Sequence, residues 1–122
     1  MKLRISDNSI RIRVSKVEAE KLMQFETIQM TTGFPADTQL SCQLIPSKVD
    51  DLGCTFSSNS ISIFIPESMI EAWKSSGTAE LETTLHLENG QELLILVEKD
   101  FKRLSNRAKE DESDLFINPR KK

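Results

Sequence analysis

The sequence predicts an α+β domain, mainly antiparallel β, made of two ββαββ repeats, and three observations lead there. The first is an internal repeat: Leu3 to Val14 returns as Cys54 to Ile65, with identities at Ser6/Ser57, Asn8/Asn59, Ser9/Ser60, Ile10/Ile61 and Ile12/Ile63, an offset of 51 residues. The second is apolar alternation at period two in short runs separated by turn residues, the mark of half-buried strands. The third is a segment with helical apolar spacing directly after each copy of the repeated hairpin. Two such units pair most economically as an eight-strand barrel or strongly curled sheet with two short helices, because closure removes strand edges. Two packed four-strand sheets satisfy the same pattern. Residues 1–101 are expected to form a single duplicated domain, with repeat one over 2–46 and repeat two over 53–98. Residues 102–122 form a charged C-terminal tail, docked or disordered.

Each element has a local reason. Lys2 to Ser6 and Ser9 to Val14 alternate around Asp7-Asn8, a pair that tolerates the positive φ angles of a type I′ turn. Ser15 precedes Glu18 by the spacing of a capping box, and Ala19, Leu22 and Met23 line one face of a helix through about Gln24. Thr27 to Thr32 and Thr38 to Ile45 read as a hairpin around Gly33-Phe34-Pro35-Ala36-Asp37, and Pro46 to Leu52 as the connector. In the second unit, Gly53 to Ser57 and Ser60 to Ile65 form the hairpin. The helix starts near Pro66, shows Met69, Ile70 and Trp73 on its apolar face, and stops at Gly77. Thr78 to Glu88 and Gln91 to Glu98 close the chain's last hairpin at Asn89-Gly90, the strongest two-residue turn signal present. Leu93 to Val97 is apolar on both faces, so each side should be covered and the strand should be the most buried segment.

Composition sets the outer bounds. A chain of 122 residues can bury roughly two-thirds of its unfolded surface and needs no disulfide or metal to fold. A formal net charge of −3 argues against a general nucleic-acid or membrane-surface binder. Cys42 and Cys54 lie in apolar runs without metal spacing, which reads as reduced thiols in a cytoplasmic protein. No signal core and no apolar run of membrane-spanning length is present.

The distribution of charge is more informative than its sum. With Asp7-Asn8 as the turn, Arg4 opposes Arg11 and Lys2 opposes Arg13, whereas Leu3 meets Ile12 and Ile5 meets Ile10. One face of the hairpin is therefore apolar and the other wholly basic. Like charges opposed across strands repel, so this face asks for a compensating anion, or its side chains splay apart in solvent. At the equivalent positions of the second copy stand Gly53, Thr55, Ser62 and Phe64, a neutral face on which Phe64 covers Gly53. The copies diverged here, and a function is sought here. Candidate anions are the acidic tail residues Glu110, Asp111, Glu112 and Asp114, in the same molecule or across a dimer, or a phosphate-bearing ligand held by arginine forks.

Catalytic patterns are sparse. His86 is the single histidine, with no cysteine or carboxylate at ligand spacing, and nucleophile-elbow, HExxH and paired-cysteine motifs are missing. The acidic run lacks the glycine and ligand spacing of a calcium loop. Trp73 and the methionines read as core. No metal or other cofactor is expected.

Met1-Lys2-Leu3-Arg4-Ile5 with Asn8-Ser9-Ile10-Arg11-Ile12-Arg13, then Leu96-Val97-Glu98-Lys99-Asp100-Phe101 and Glu110-Asp111-Glu112-Ser113-Asp114-Leu115-Phe116-Ile117-Asn118-Pro119, resembles an uncharacterised family of small bacterial proteins classed as a domain of unknown function. The resemblance spans the chain and is most specific at its ends. It departs at Arg103, where that family usually has cysteine, and at Ile117, where it usually has proline; thiol chemistry at the first position is thus not available to this member. The resemblance implies no activity. It does pair a basic N-terminal hairpin with an acidic C-terminal motif.

The expectation is a non-catalytic binding or adaptor protein, monomer or homodimer. Its face of Lys2, Arg4, Arg11 and Arg13 recognises an acidic group, an acidic protein segment being one candidate partner and the chain's own acidic C-terminal segment another. The alternative from another class is an enzyme or binding protein for a phosphorylated small molecule, with those cations on phosphate and Glu98 or Asp100 as acid or metal ligand. Nucleic-acid binding through the hairpin and Lys99 to Lys109 is the third reading, weakened by the acidic run and the scarcity of aromatics for stacking.

Overall fold

The computed structural model describes residues 1–78 and 80–100. The element order is β1 (Lys2–Ser6), β2 (Ser9–Val14), α1 (Lys16–Met23), β3 (Ile28–Phe34), β4 (Thr38–Ser47), β5 (Gly53–Ser57), β6 (Ser60–Pro66), α2 (Glu67–Ser76), β7 (Glu80–His86) and β8 (Glu92–Lys99). The strands form two four-stranded sheets, A in the order β1-β2-β8-β7 and B in the order β3-β4-β6-β5. The architecture is thus the pair of packed sheets, and the closed barrel is not formed.

Each repeat does not close on itself. The first hairpin of repeat one joins the last hairpin of repeat two, and the two inner hairpins join each other, so every sheet is half of each repeat. The central pairs, β2 with β8 and β4 with β6, are parallel, whereas the hairpins are antiparallel. The helices account for this exchange. An eight-residue helix such as α1 is about 12 Å long, enough to carry the chain across the ~10 Å between packed sheets. Edges left open by the absence of closure are guarded on sheet A by charge, with Lys2 and Arg4 on β1 and Glu80 and Glu82 on β7.

The duplication holds in three dimensions with one adjustment. Row by row, Leu3, Ile12, Val97 and Leu81 lie side by side on the inner face of sheet A. Cys54, Ile63, Leu44 and Ile28 do the same in sheet B. The first hairpins superpose at the offset of 51 residues, but Ile28 matches Leu81 at 53, because α2 has 10 residues where α1 has 8. Both inner faces feed one core with Ala19 and Leu22 of α1 and Ile70 and Trp73 of α2. The deepest strand is β6, where Ile61, Ser62, Ile63, Ile65 and Pro66 are all buried. It displaces β8 from that expected place because Leu94 and Leu96 point outward and stay half-buried.

The turns follow the sequence with two changes. Ser58 and Asn59 both take positive φ, 51° and 60°, but in the first turn only Asp7 does, at 47°, so the type I′ geometry belongs to the second copy alone. The last hairpin pairs His86 with Glu92, and Leu87 N–H donates to Gln91 O (2.8 Å). Its loop is therefore the three residues Glu88-Asn89-Gly90, not Asn89-Gly90 alone, with Gly90 at φ 88°. The matching loop of repeat one is Pro35-Ala36-Asp37, also three residues. Strand β4 runs on through Pro46 to Ser47, taking up part of the expected connector. Since β2 and β6 each lead into a helix and each runs parallel to its neighbour from the other repeat, the helices share one end of the molecule. The four hairpin turns share the other.

Candidate functional site

The basic face lies on the outside of sheet A, in the register expected from Asp7-Asn8: Lys2 faces Arg13 and Arg4 faces Arg11. The parallel partner β8 extends these rows. One reads Lys2, Arg13, Glu98, Glu80; the next reads Arg4, Arg11, Leu96, Glu82; the last reads Ser6, Ser9, Leu94, Thr84. The face is thus graded from cationic β1 and β2, over an apolar stripe of Leu94 and Leu96, to acidic β7.

The compensating anions come from β8 and the residue just beyond it. Arg13 Nε donates to Glu98 Oε1 at 2.8 Å. Arg11 Nε lies 3.1 Å from the same oxygen but is not aligned to donate a hydrogen bond to it, so that contact is Coulombic. Lys2 Nζ meets Asp100 Oδ2 at 3.1 Å. Glu98 is only 13 % exposed, which lets its charge act on both guanidinium groups with less screening than at an open surface. Arg4 is exposed and has no ion-pair partner among the described residues. With Lys2, Leu3, Arg11 and Arg13 it lines a recess of about 190 Å³.

The strand positions of sheet B's outer face carry no charge. There Gln43 Nε2 donates to Ser62 Oγ (2.9 Å), and Thr31 and Ser41 share a hydroxyl contact (3.3 Å). Phe64 stands opposite Gly53, as the pattern indicates. Charge on the outer strand positions is therefore a property of sheet A, to which each repeat contributes one hairpin.

Of the remaining candidates, Glu98 and Asp100 join the basic face, and Lys99 turns away to place its ammonium 5.2 Å from the centroid of the Trp73 ring. Phe101, Asn118, Pro119 and the acidic residues Glu110, Asp111, Glu112 and Asp114 lie outside the described residues. His86 is exposed, with Nδ1 3.4 Å from Glu92 Oε2. Cys42 and Cys54 are free thiols; burial pushes Cys42 up to about 11 and raises Cys54 as well, so neither is primed as a nucleophile. Among the described residues no group of three or more His, Cys, Asp or Glu side chains is placed to hold a metal ion. No helix among them is long and apolar enough to cross a membrane. A second recess, about 430 Å³ and mostly apolar, lies between α1 and the end of β8, lined by Val14, Ala19, Met23, Lys99 and neighbours.

Sequence reasoning found the four cations and their register. It missed Glu98 as the shared counter-ion of Arg11 and Arg13, and Leu94 and Leu96 as part of the same face. The alternation of Leu94, Leu96 and Glu98 with Ile95 and Val97 was the available signal.

A protein-family model described as a family of unknown function (DUF7009) matches residues 1–120. No curated protein and no solved structure matches the chain.

Proposed function

The chain belongs to DUF7009, a family of unknown function, and from that premise we propose that it is a non-catalytic binding protein whose outer face of sheet A recognises an acidic group. The observation that supports this reading is Arg4. It is held directly opposite Arg11 by the hairpin register and has no ion-pair partner among the described residues, while Glu98 and Asp100 are already engaged by Arg11, Arg13 and Lys2. Among the described residues, four cations stand against two carboxylates at the β1–β2 end of the face. Keeping like charges opposed across strands costs a few tenths to about 1 kcal/mol per pair, and a bound anion relieves that cost. Arginine suits the task because its planar fork meets a carboxylate or phosphate bidentately.

The test is titration of the full chain with hexaglutamate, followed by the arginine side-chain N–H signals and by calorimetry, for the parent protein and Arg4→Ser. The expected result, with the chain's own acidic run neutralised in both proteins (E110Q, D111N, E112Q and D114N) so that it cannot compete, is binding that weakens at least about tenfold in the variant, since a charge-assisted bidentate contact contributes roughly 1.5–3 kcal/mol, with the folded spectrum unchanged. Equal binding by both proteins overturns the reading. A parallel titration with inorganic phosphate separates a general anion site from one that needs an extended acidic segment.

A further inference from the structure

We propose that the group recognised by this face is the chain's own segment 110–117, seated across sheet A with its acidic run on the cations and Leu115-Phe116-Ile117 on the stripe of Leu94 and Leu96. The inference rests on the anion-recognition reading above and names its partner. Two chemistries adjoin on the face: Arg4 and Arg11 lie in the same row as Leu96, and Leu94 follows one row nearer the turns. Leu94 and Leu96 are only half-buried, so apolar surface is left for an occupant to cover. The same two chemistries adjoin in the sequence, where Glu110-Asp111-Glu112-Ser113-Asp114 runs directly into Leu115-Phe116-Ile117. The strand positions of sheet B's outer face, which lack cations, offer no such match.

Reach and tethering favour the same chain over a separate molecule. The described residues end at Asp100, whose carboxylate is already on Lys2. From there ten residues lead to Glu110, up to about 33 Å when extended. Arg4 stands two positions beyond Lys2 on β1, about 7 Å away. A segment tethered this closely acts at an effective concentration in the millimolar range, so even a contact of ~0.1 mM intrinsic affinity is mostly formed.

The experiment uses hexaglutamate as a competing probe on full-length proteins. One variant neutralises the run (E110Q, D111N, E112Q and D114N together), and a second keeps the run but removes the anchor (L115S with F116S). The expected result is that each binds hexaglutamate about tenfold more tightly than the parent, the factor by which a millimolar tethered competitor masks a site of ~0.1 mM affinity. In the parent, cross-relaxation is expected between the Phe116 ring and the methyl groups of Leu94 or Leu96, independent of protein concentration. If both variants bind like the parent while Arg4→Ser still weakens binding, the tail is not the occupant and the anion-recognition reading stands. If Arg4→Ser does not weaken binding when added to the run-neutralised variant, where no tail competes, that reading itself fails. Tighter binding by the first variant alone overturns the apolar half of the proposal. Contacts that strengthen with concentration, together with a dimer in sedimentation, overturn the assignment to the same chain.

Discussion

Glu98 occupies the position where the two repeats meet most closely in charge. A single carboxylate oxygen serves Arg13 by a hydrogen bond and Arg11 by proximity, and Glu80 stands beside it on β7. Replacing it by glutamine leaves the neighbouring guanidinium groups of Arg11 and Arg13, two positions apart on β2, without their shared counter-ion. The expected cost is about 1–3 kcal/mol, the range for losing a partner of a charged hydrogen bond, read as a lower urea midpoint. With the acidic run 110–114 neutralised, so that no tail anion lies on the face, Arg4→Ser is expected to act in the opposite sense. It removes a cation facing Arg11 and raises stability by up to about 1 kcal/mol at low salt, and that gain disappears near 1 M salt, where the screening length falls to ~3 Å. A salt-independent loss in Arg4→Ser would show that Arg4 holds the fold by packing instead. The cations and their cross-strand register were readable from the sequence because a two-residue turn between alternating strands fixes which residues face each other. The role of Glu98 was not, since Arg13 and Glu98 are 85 positions apart and meet only through a parallel pairing that no local signal encodes.

At the level of elements, the helices show how far local chemistry reaches. The capping box is formed as spelled: Ser15 Oγ accepts from the Glu18 N–H and Glu18 Oε1 accepts from the Ser15 N–H. The Met1 ammonium also donates to Glu18, at 2.9 Å, so one side chain ties β1 to α1. Desolvation pushes the Glu18 carboxyl up, but hydrogen bonds from the Met1 ammonium and Ser15, with the ammonium's charge, outweigh it and hold the group below its ordinary 4.5. A carboxyl depressed by folding adds stability that is complete above the unfolded value and is lost as pH falls through the folded one. Glu18→Gln is therefore expected to melt earlier than the parent at pH 6. The gap should narrow as pH falls from about 4.5, measured by thermal melts between pH 6 and 3; a constant gap would mean that Glu18 acts without its charge. Ser15→Ala is expected to cost about 1 kcal/mol. Helix α2 begins at Pro66 without a side-chain cap and ends at Gly77 in the left-handed region, φ 70°, as proline before and glycine after a helix imply. Local signals of this kind placed both helices and four hairpins. What they left open was which hairpin lies beside which, because each hairpin presents an apolar face and an unpaired inner strand that fit either repeat.

On the scale of the whole molecule, that exchange of hairpins makes the two repeats mutually dependent. Sheet A cannot exist without β7 and β8, nor sheet B without β5 and β6, and a single core runs through both sheets and both helices. The helices fill one end of the space between the sheets. At the end with the turns, the inner-face residues Ile5 and its repeat-mate Phe56 are 56 % and 68 % exposed, and the pair Phe34 and Leu87 are 52 % and 36 % exposed. That end is thus apolar and only loosely filled, and stability resides in the middle and helix layers, where Ile12, Ile63, Leu44 and Val97 are fully enclosed. A fold built this way should unfold in one step although its sequence is a duplication. Two probes check this: Trp73, buried on α2 beneath Lys99, reports tertiary structure by fluorescence, and far-ultraviolet circular dichroism reports the strands. Their urea transitions are expected to coincide, and residues 1–51 or 52–122 expressed alone are expected to be unfolded as monomers, each gaining structure when mixed with the other. Two separated transitions, or a half-chain that is folded and monomeric, would show that each repeat can close on itself and that the exchange of hairpins is not what holds the domain together.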